Sequence, residues 1–148
     1  LSFLSSLLRP PDVVRDLGLL VTRLALAAIF IAHGLQKLLT WTLPGTAHVL
    51  HEQGVPLTSV AAPVSTVVEL VAGVALLLGL FTTVAGALLV ADMLALLVLV
   101  HLPYGLFASN GGYETVLGLA AGALAVAVGA GRWSLDALIL RRLRRRPS

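Results

Sequence analysis

The sequence predicts an all-α integral membrane protein: a four-helix transmembrane bundle, up-down antiparallel, with both termini cytoplasmic. Three observations predict it. Of 148 residues, 58% are hydrophobic and only 11% charged, less than half the roughly 25% charge of a soluble domain, and the mean hydropathy is +0.99. Four apolar stretches, 17–39, 60–80, 84–102 and 114–130, approach the ~20 residues that cross a bilayer core of ~30 Å. The Lys and Arg residues gather towards the two ends of the chain. Together these exclude an ordinary water-soluble enzyme.

Residues 1–9, with Phe3, Leu4, Leu7 and Leu8 apolar and Arg9 following, suit an amphipathic segment lying along the membrane surface. The first stretch is read as a span although Ala25-Leu26-Ala27 mimics a cleavage site, because the apolar run outlasts the 7–15 residues of a signal peptide. None of the stretches alternates with period 2, so helices are expected rather than barrel strands. A short turn around Thr82 joins the second and third spans into an antiparallel hairpin. Gly129-Ala130-Gly131 reads as a C-terminal cap and turn after the fourth span. Ser134 reads as the N-cap of a short amphipathic helix, 135–143, with Asp136 in its first turn. A basic tail completes the segment 134–148, and residues 1–148 form a single membrane domain.

Orientation follows from charge. The connections 40–59 and 103–113 contain no Lys or Arg, whereas both termini do. The positive-inside rule therefore places the N- and C-termini inside a multi-pass protein of the cytoplasmic membrane. Trp41, Tyr104 and Tyr113 then fall at the outer interface, where amphipathic aromatics are favoured. The pI of about 10.2 arises largely from residues 132–146, a run suited to anionic lipid rather than nucleic acid. Gly118 and Gly122, and Ala87, Ala91 and Ala95, have the spacing that lets helix backbones approach closely.

Ionisable residues within spans are costly and mark function by default. Arg23, His33 and Lys37 lie in the first span, Glu69 in the second and Asp92 in the third, while Glu114 opens the fourth. Arg23, His33 and Lys37 share one helical face, within a sector of about 80°. Depths at about 1.5 Å per residue predict two ion-pair layers, a structural pair of Arg23 with Glu69 or Asp92 deep inside and a pair of Lys37 with Glu114 near the outer surface. Two permanent cations face three carboxylates, leaving one over for a proton, a ligand cation or protonated His33. The cluster reads either as bundle glue or as a ligand or proton site. The outer half gathers His33, Gln36, Lys37, His101, Tyr104, Tyr113 and Glu114, a place for a polar headgroup above an apolar cavity, and the candidate ligand-binding set is His33, Lys37, Glu69, His101, Tyr113 and Glu114.

Other chemistries find little support. With no cysteine, there is no disulfide, thiolate metal site or CxxC redox pair. His48, His51 and Glu52 have i, i+3, i+4 spacing, but a third strong ligand at fixed spacing is missing, so they read as solvated loop residues and no metal is expected. Dinucleotide, P-loop and nucleophile-elbow motifs do not occur.

The first-span run Ile29-Phe30-Ile31-Ala32-His33-Gly34-Leu35-Gln36-Lys37-Leu38 following Arg23, the second-span Val68-Glu69-Leu70-Val71-Ala72-Gly73 with Leu77-Leu78-Gly79-Leu80, and Glu114 with Gly129-Ala130-Gly131-Arg132-Trp133-Ser134-Leu135-Asp136 together resemble the DoxX family of small bacterial four-helix membrane proteins. The resemblance runs from Val21 to Leu138. It implies a four-helix bundle with Arg and Glu facing inward. Some relatives are linked to thiosulfate:quinone oxidoreductase, and a mycobacterial one to a membrane oxidoreductase complex with superoxide dismutase and a sulfurtransferase. Asp92 lies outside the family's signature.

The leading expectation is a non-catalytic membrane subunit of a quinone-linked or oxidative-stress redox assembly, with quinone as the cofactor of its polar pocket. The partners expected are the lipid bilayer, redox-enzyme subunits and a second copy of the chain in a homo-oligomer, with no nucleic acid. A binder or carrier of lipids or small amphiphiles is a second reading, and a small proton-coupled transporter a third.

Overall fold

A computed structural model describes residue 8 and residues 10–144. The amphipathic segment expected at residues 1–9 and the end of the basic tail therefore lie outside the described residues, apart from Leu8. Within them the chain is helical and contains no strand. Helix α1 runs Asp12–Leu35 and continues through a π-helical turn, Gln36–Thr40. The remaining helices are α2 at Thr42–Glu52, α3 at Thr58–Leu78, α4 at Thr82–Leu96, α5 at Glu114–Ala127 and α6 at Leu135–Arg144. A second π-helical turn, Leu97–His101, and a 3-10 turn, Leu102–Tyr104, prolong α4.

Three segments are long and apolar enough to cross a membrane: Asp12–Thr40, Thr58–Leu78 and Thr82–Tyr104. The fourth expected span is shorter than the sequence suggests. Helix α5 has 14 residues, about 21 Å at 1.5 Å per residue, and ends at Ala127 rather than near Ala130. The chain turns there because Gly129 and Gly131 break the helix and because Arg23 takes the Ala130 carbonyl. The connection expected at 40–59 also holds a helix, α2, whose Thr46 and Leu50 are buried against the bundle.

Helix α1 packs on α3 and α5, and α4 packs on the same two, so these four helices close a ring, with α2 lying against α3. The core between them holds Leu26, Phe30, Leu76, Leu89, Met93, Val116 and Val126. Large apolar side chains on the outer faces remain exposed, among them Val67, Val71, Val74, Leu88 and Leu124. That inversion suits hydrocarbon surroundings, since a water-soluble monomer rarely exposes so large an apolar surface.

Glycines fix the register. A Cβ on Gly34 would stand 2.7 Å from Leu70 Cγ, and one on Gly73 would stand 2.9 Å from Ile31 Cγ1. The antiparallel α1 and α3 are thereby locked with Gly34 at Leu70 and Gly73 at Ile31. Gly86 plays the same part between α4 and α5, where a Cβ would meet Ala127 Cβ at 2.7 Å. The closest approaches are thus at glycines outside the small-residue repeats singled out in the sequence. Gly118 has no neighbour within 4 Å, and Gly122 meets only Leu26 at 3.3 Å.

Candidate functional site

Along α1 the residues Asp16, Arg23, Phe30 and Lys37 recur every seventh position, a spacing that keeps them on nearly one face. Asp16, Arg23 and Phe30 are buried, and Lys37 is largely so. The α1–α3 register then decides what each one meets. Lys37 falls beside the first half of α3, and Arg23 falls beside its end.

Lys37 Nζ lies 2.9 Å from Glu69 Oε1, with 12% and 3% of the two side chains exposed. It also donates to Ser65 Oγ at 2.8 Å, and the Ser65 hydroxyl donates to Asp92 Oδ2 at 3.2 Å. One ammonium therefore serves two carboxylates on α3 and α4, with a serine between them. Glu69 Oε2 is buried and accepts no hydrogen bond among the described residues.

Neither expected ion pair forms. Arg23 meets neither Glu69 nor Asp92; its guanidinium donates to the carbonyls of Ala130 at 2.9 Å and Trp133 at 2.7 Å. Glu114 does not reach Lys37, and its Oε1 accepts the Ala108 N–H at 2.8 Å. The physical reason is the glycine register. Estimating depths from a common mid-plane ignores that α1 is longer than α3, so that residues equally far from their own span centres do not face one another.

Lys37, Glu69, His33 and His101 line one cavity of about 350 Å³, over a floor that includes Phe30, Met93 and Leu96. Tyr113 and Glu114 do not line it: Tyr113 packs partly buried against the core, and Glu114 fastens the loop that forms the cavity's rim. The ring N–H at His33 Nδ1 donates to the Ile29 carbonyl at 2.9 Å and that at His101 Nδ1 to the Gly111 carbonyl at 2.8 Å. Such bonds orient the rings and leave each Nε2 available to a ligand. Lys37 and His101 both sit on π-helical turns, a deformation that recurs at functional sites. Thr46 donates to the Lys37 carbonyl at 3.2 Å, occupying an acceptor in that turn.

Trp41, Thr115 and Ser65 were not in the candidate set. Trp41 and Thr115 line the cavity. Ser65 carried a usable signal, because it stands four residues before Glu69 and so on the same helical face. On α2, His48 Nε2 faces Glu52 at 3.4 Å with both exposed, and among the described residues no group of three potential ligands comes together for a metal ion.

The opposite end of the ring is a structural knot. The Asp136 carboxylate accepts the N–H of Phe81 at 2.8 Å and of Thr82 at 2.9 Å, and the Thr82 hydroxyl at 2.7 Å. It thereby caps the N-terminus of α4 from a different helix, an arrangement favoured at a positive helix end. Burial pushes the Asp136 carboxyl up, but the Thr82 and Phe81 bonds and the Arg23 charge outweigh it and hold the group below the ordinary aspartate range. Ser134 caps α6 by accepting the Ala137 N–H at 3.2 Å, and Asp16 pairs with Arg132. A hollow of about 510 Å³ opens here, but its carboxylate is fully engaged in the cap.

The DoxX family profile matches residues 18–102. The chain belongs to the DoxX family. It is also 32% identical to the uncharacterized membrane protein Rv3486 of Mycobacterium tuberculosis, over an alignment of 144 residues that takes in 90% of this chain and 84% of that protein. No solved structure matches the chain at a significant level. The matched region contains Arg23, His33, Lys37, Glu69, Asp92 and His101, so the cavity's ionisable residues all fall within the family segment, while Thr115 lies beyond it.

Proposed function

We propose that this DoxX-family protein is a membrane-embedded, non-catalytic subunit of a redox assembly, and that its bundle binds the headgroup of a lipid-soluble quinone. The observation that carries the reading is the cavity of about 350 Å³ with Lys37, Glu69 and two histidines above an apolar floor. Its size lies in the ~300–1,000 Å³ range of small-molecule sites, and its composition, mostly apolar with a few convergent polar groups, is theirs as well. Lys37 supplies a donor for a ring carbonyl, while Glu69 Oε2 and the free histidine nitrogens supply acceptors for a ring hydroxyl. The chain has no cysteine, so the electrons would pass through the quinone and partner subunits rather than through thiols.

In this proposal α1, α3, α4 and α5 all cross the cytoplasmic membrane, with both termini inside. The lack of Lys and Arg in 40–59 and 103–113 supports that orientation. The short α5 is accommodated by local thinning of the bilayer, at a cost of fractions of a kcal/mol per Å.

The protein contains a usable reporter. Trp41 lines the cavity, whereas Trp133 belongs to the knot at the other end. In Trp133→Phe protein, titration with decylubiquinone should quench the remaining tryptophan saturably, and Lys37→Met or Glu69→Gln should abolish saturation. Quenching that is unsaturable, or identical in all three proteins, overturns the site. Saturation by a phospholipid or fatty acid but not by the quinone replaces it with a lipid binder. Extraction from native membranes without any co-purifying redox subunit overturns the assembly.

A further inference from the structure

A second, smaller cavity of about 200 Å³ lies beside the first, and the two share Leu96 as a wall. Leu50, Val55, Val64 and Leu99 line it, and its polar lining consists of Ser65 and Asp92 alone. The two cavities are connected by a continuous line of polar contacts. Glu69 Oε1 is 2.9 Å from Lys37 Nζ, Lys37 donates to Ser65 at 2.8 Å, and Ser65 donates to Asp92 at 3.2 Å. Every donor after Glu69 points the same way. The middle of the line is shielded, since Ser65 is 7% exposed.

The charges on this line do not balance by themselves. Lys37 is one cation against the two carboxylates of Glu69 and Asp92. His33 and His101 are the other titratable groups of the larger cavity, and Asp92 is the sole one of the smaller. An uncompensated charge in a low-dielectric interior is expensive, so the three-residue cluster is neutral when it holds one proton.

We propose that Glu69, Lys37, Ser65 and Asp92 form a proton line that carries this one proton between the two cavities. From Glu69 protonated, Lys37 an ammonium and Asp92 ionised, the original Ser65 O–H breaks as the Asp92 O–H forms, and a Lys37 N–H breaks as Ser65 gains a new O–H. The neutral Lys37 amine, its lone pair turned towards Glu69 by rotation about Cε–Nζ, then gains an N–H as the Glu69 O–H breaks. Lys37 ends as an ammonium and Ser65 as a hydroxyl, as they began. Atoms and charge are conserved, and no co-reactant is required. A molecule that donates a hydrogen bond to Glu69 Oε2 stabilises ionised Glu69 and sends the proton to Asp92. That coupling rests on the headgroup reading of the larger cavity; the line itself does not.

Infrared spectroscopy of the whole chain in lipid bilayers tests it, by reading the carbonyl stretch of protonated carboxylic acid and its exchange rate in heavy water. One such band is expected at neutral pH, lost in both Glu69→Gln and Asp92→Asn, because each leaves a single carboxylate for Lys37. Ser65→Ala should keep the band and slow its exchange about tenfold or more, whereas Ser65→Thr should exchange at the wild-type rate. No band in the wild type, a band that survives either carboxyl substitution, or unaltered exchange in Ser65→Ala overturns the proposal. The serine variants remove no buried charge, so they decide the matter even if a carboxyl variant does not fold. Decylubiquinone quenching on the same proteins separates the two readings: quenching lost with the band and its exchange intact sinks the headgroup site and leaves the line.

Discussion

Lys37 and Glu69 face each other across the α1–α3 interface at 2.9 Å, and neither has another oppositely charged partner within ion-pair distance among the described residues. The pair is set by the glycine contacts of Gly34 and Gly73 one or two turns away, not by attraction between distant charges. It serves the cavity wall and the bundle interior at once.

Breaking that pair from one side should cost more than removing both partners. Lys37→Met leaves Glu69 without its cation, and a buried pair broken in this way loses about 3–5 kcal/mol. The double variant Lys37→Met with Glu69→Gln should recover much of the loss. Unfolding midpoints in a mild detergent, compared through the full double-mutant cycle, measure it. Additive losses would show that the two side chains do not interact.

Arg23 should not tolerate lysine. Its guanidinium holds the Ala130 and Trp133 carbonyls with two separate nitrogens, and a lysine ammonium lacks the planar fork that reaches both. Arg23→Lys keeps the charge yet should lose about 1–3 kcal/mol for carbonyl groups left unpaired. The same unfolding assay detects this, and equal stability would mean that charge alone holds the knot.

Asp136 predicts a pH dependence of defined sign. Its carboxyl is held below the ordinary aspartate range in the folded protein, so its stabilising contribution is complete above that range. The contribution disappears as the pH falls through the depressed folded value. Amide exchange at Phe81 and Thr82, the two capped N–H groups, should therefore accelerate, relative to the rest of α4, only at acidic pH below the usual aspartate titration. In Asp136→Asn that extra acceleration should be lost and protection should already be lower at neutral pH.

Two glycines should respond to alanine in opposite directions. Gly79 has φ +66, and a Cβ there would stand 2.6 Å from Ser134 Cβ and 2.7 Å from an Arg23 guanidinium nitrogen. Gly79→Ala should destabilise by about 1–3 kcal/mol, combining left-handed strain with a clash against the knot. Gly118 lies inside α5 with open space around it, so Gly118→Ala should stabilise by about 0.5–1 kcal/mol. Thermal midpoints of the two variants check both signs.

Much of the candidate site was legible from residue type. Charges inside apolar stretches are rare enough that Arg23, His33, Lys37, Glu69 and Asp92 stand out without coordinates, and His33, Lys37, Glu69 and His101 do line one cavity. Their pairing was not legible. Helical periodicity fixes the angle at which a residue leaves its own axis but says nothing about how far that axis slides along its neighbour. The same blindness hid Ser65, whose hydroxyl matters only because Lys37 and Asp92 arrive on either side of it. It also hid the service of Asp136, which caps a helix that begins 54 residues earlier in the chain.

The sequence by itself determined the solvent and the material. An apolar excess with few charges commits these stretches to helices in hydrocarbon, because each backbone polar group must there be satisfied within its own segment. It also determined which residues carry the motifs of the DoxX family. The tertiary structure alone decided that Lys37 rather than Arg23 meets Glu69, that α5 stops at Ala127, and that two cavities share one line of polar contacts. Those outcomes depend on contacts between small residues on neighbouring helices, where a single Cβ would move one backbone against the next. Packing at that resolution is a property of surfaces brought together, and no one-dimensional pattern of hydropathy or charge encodes it.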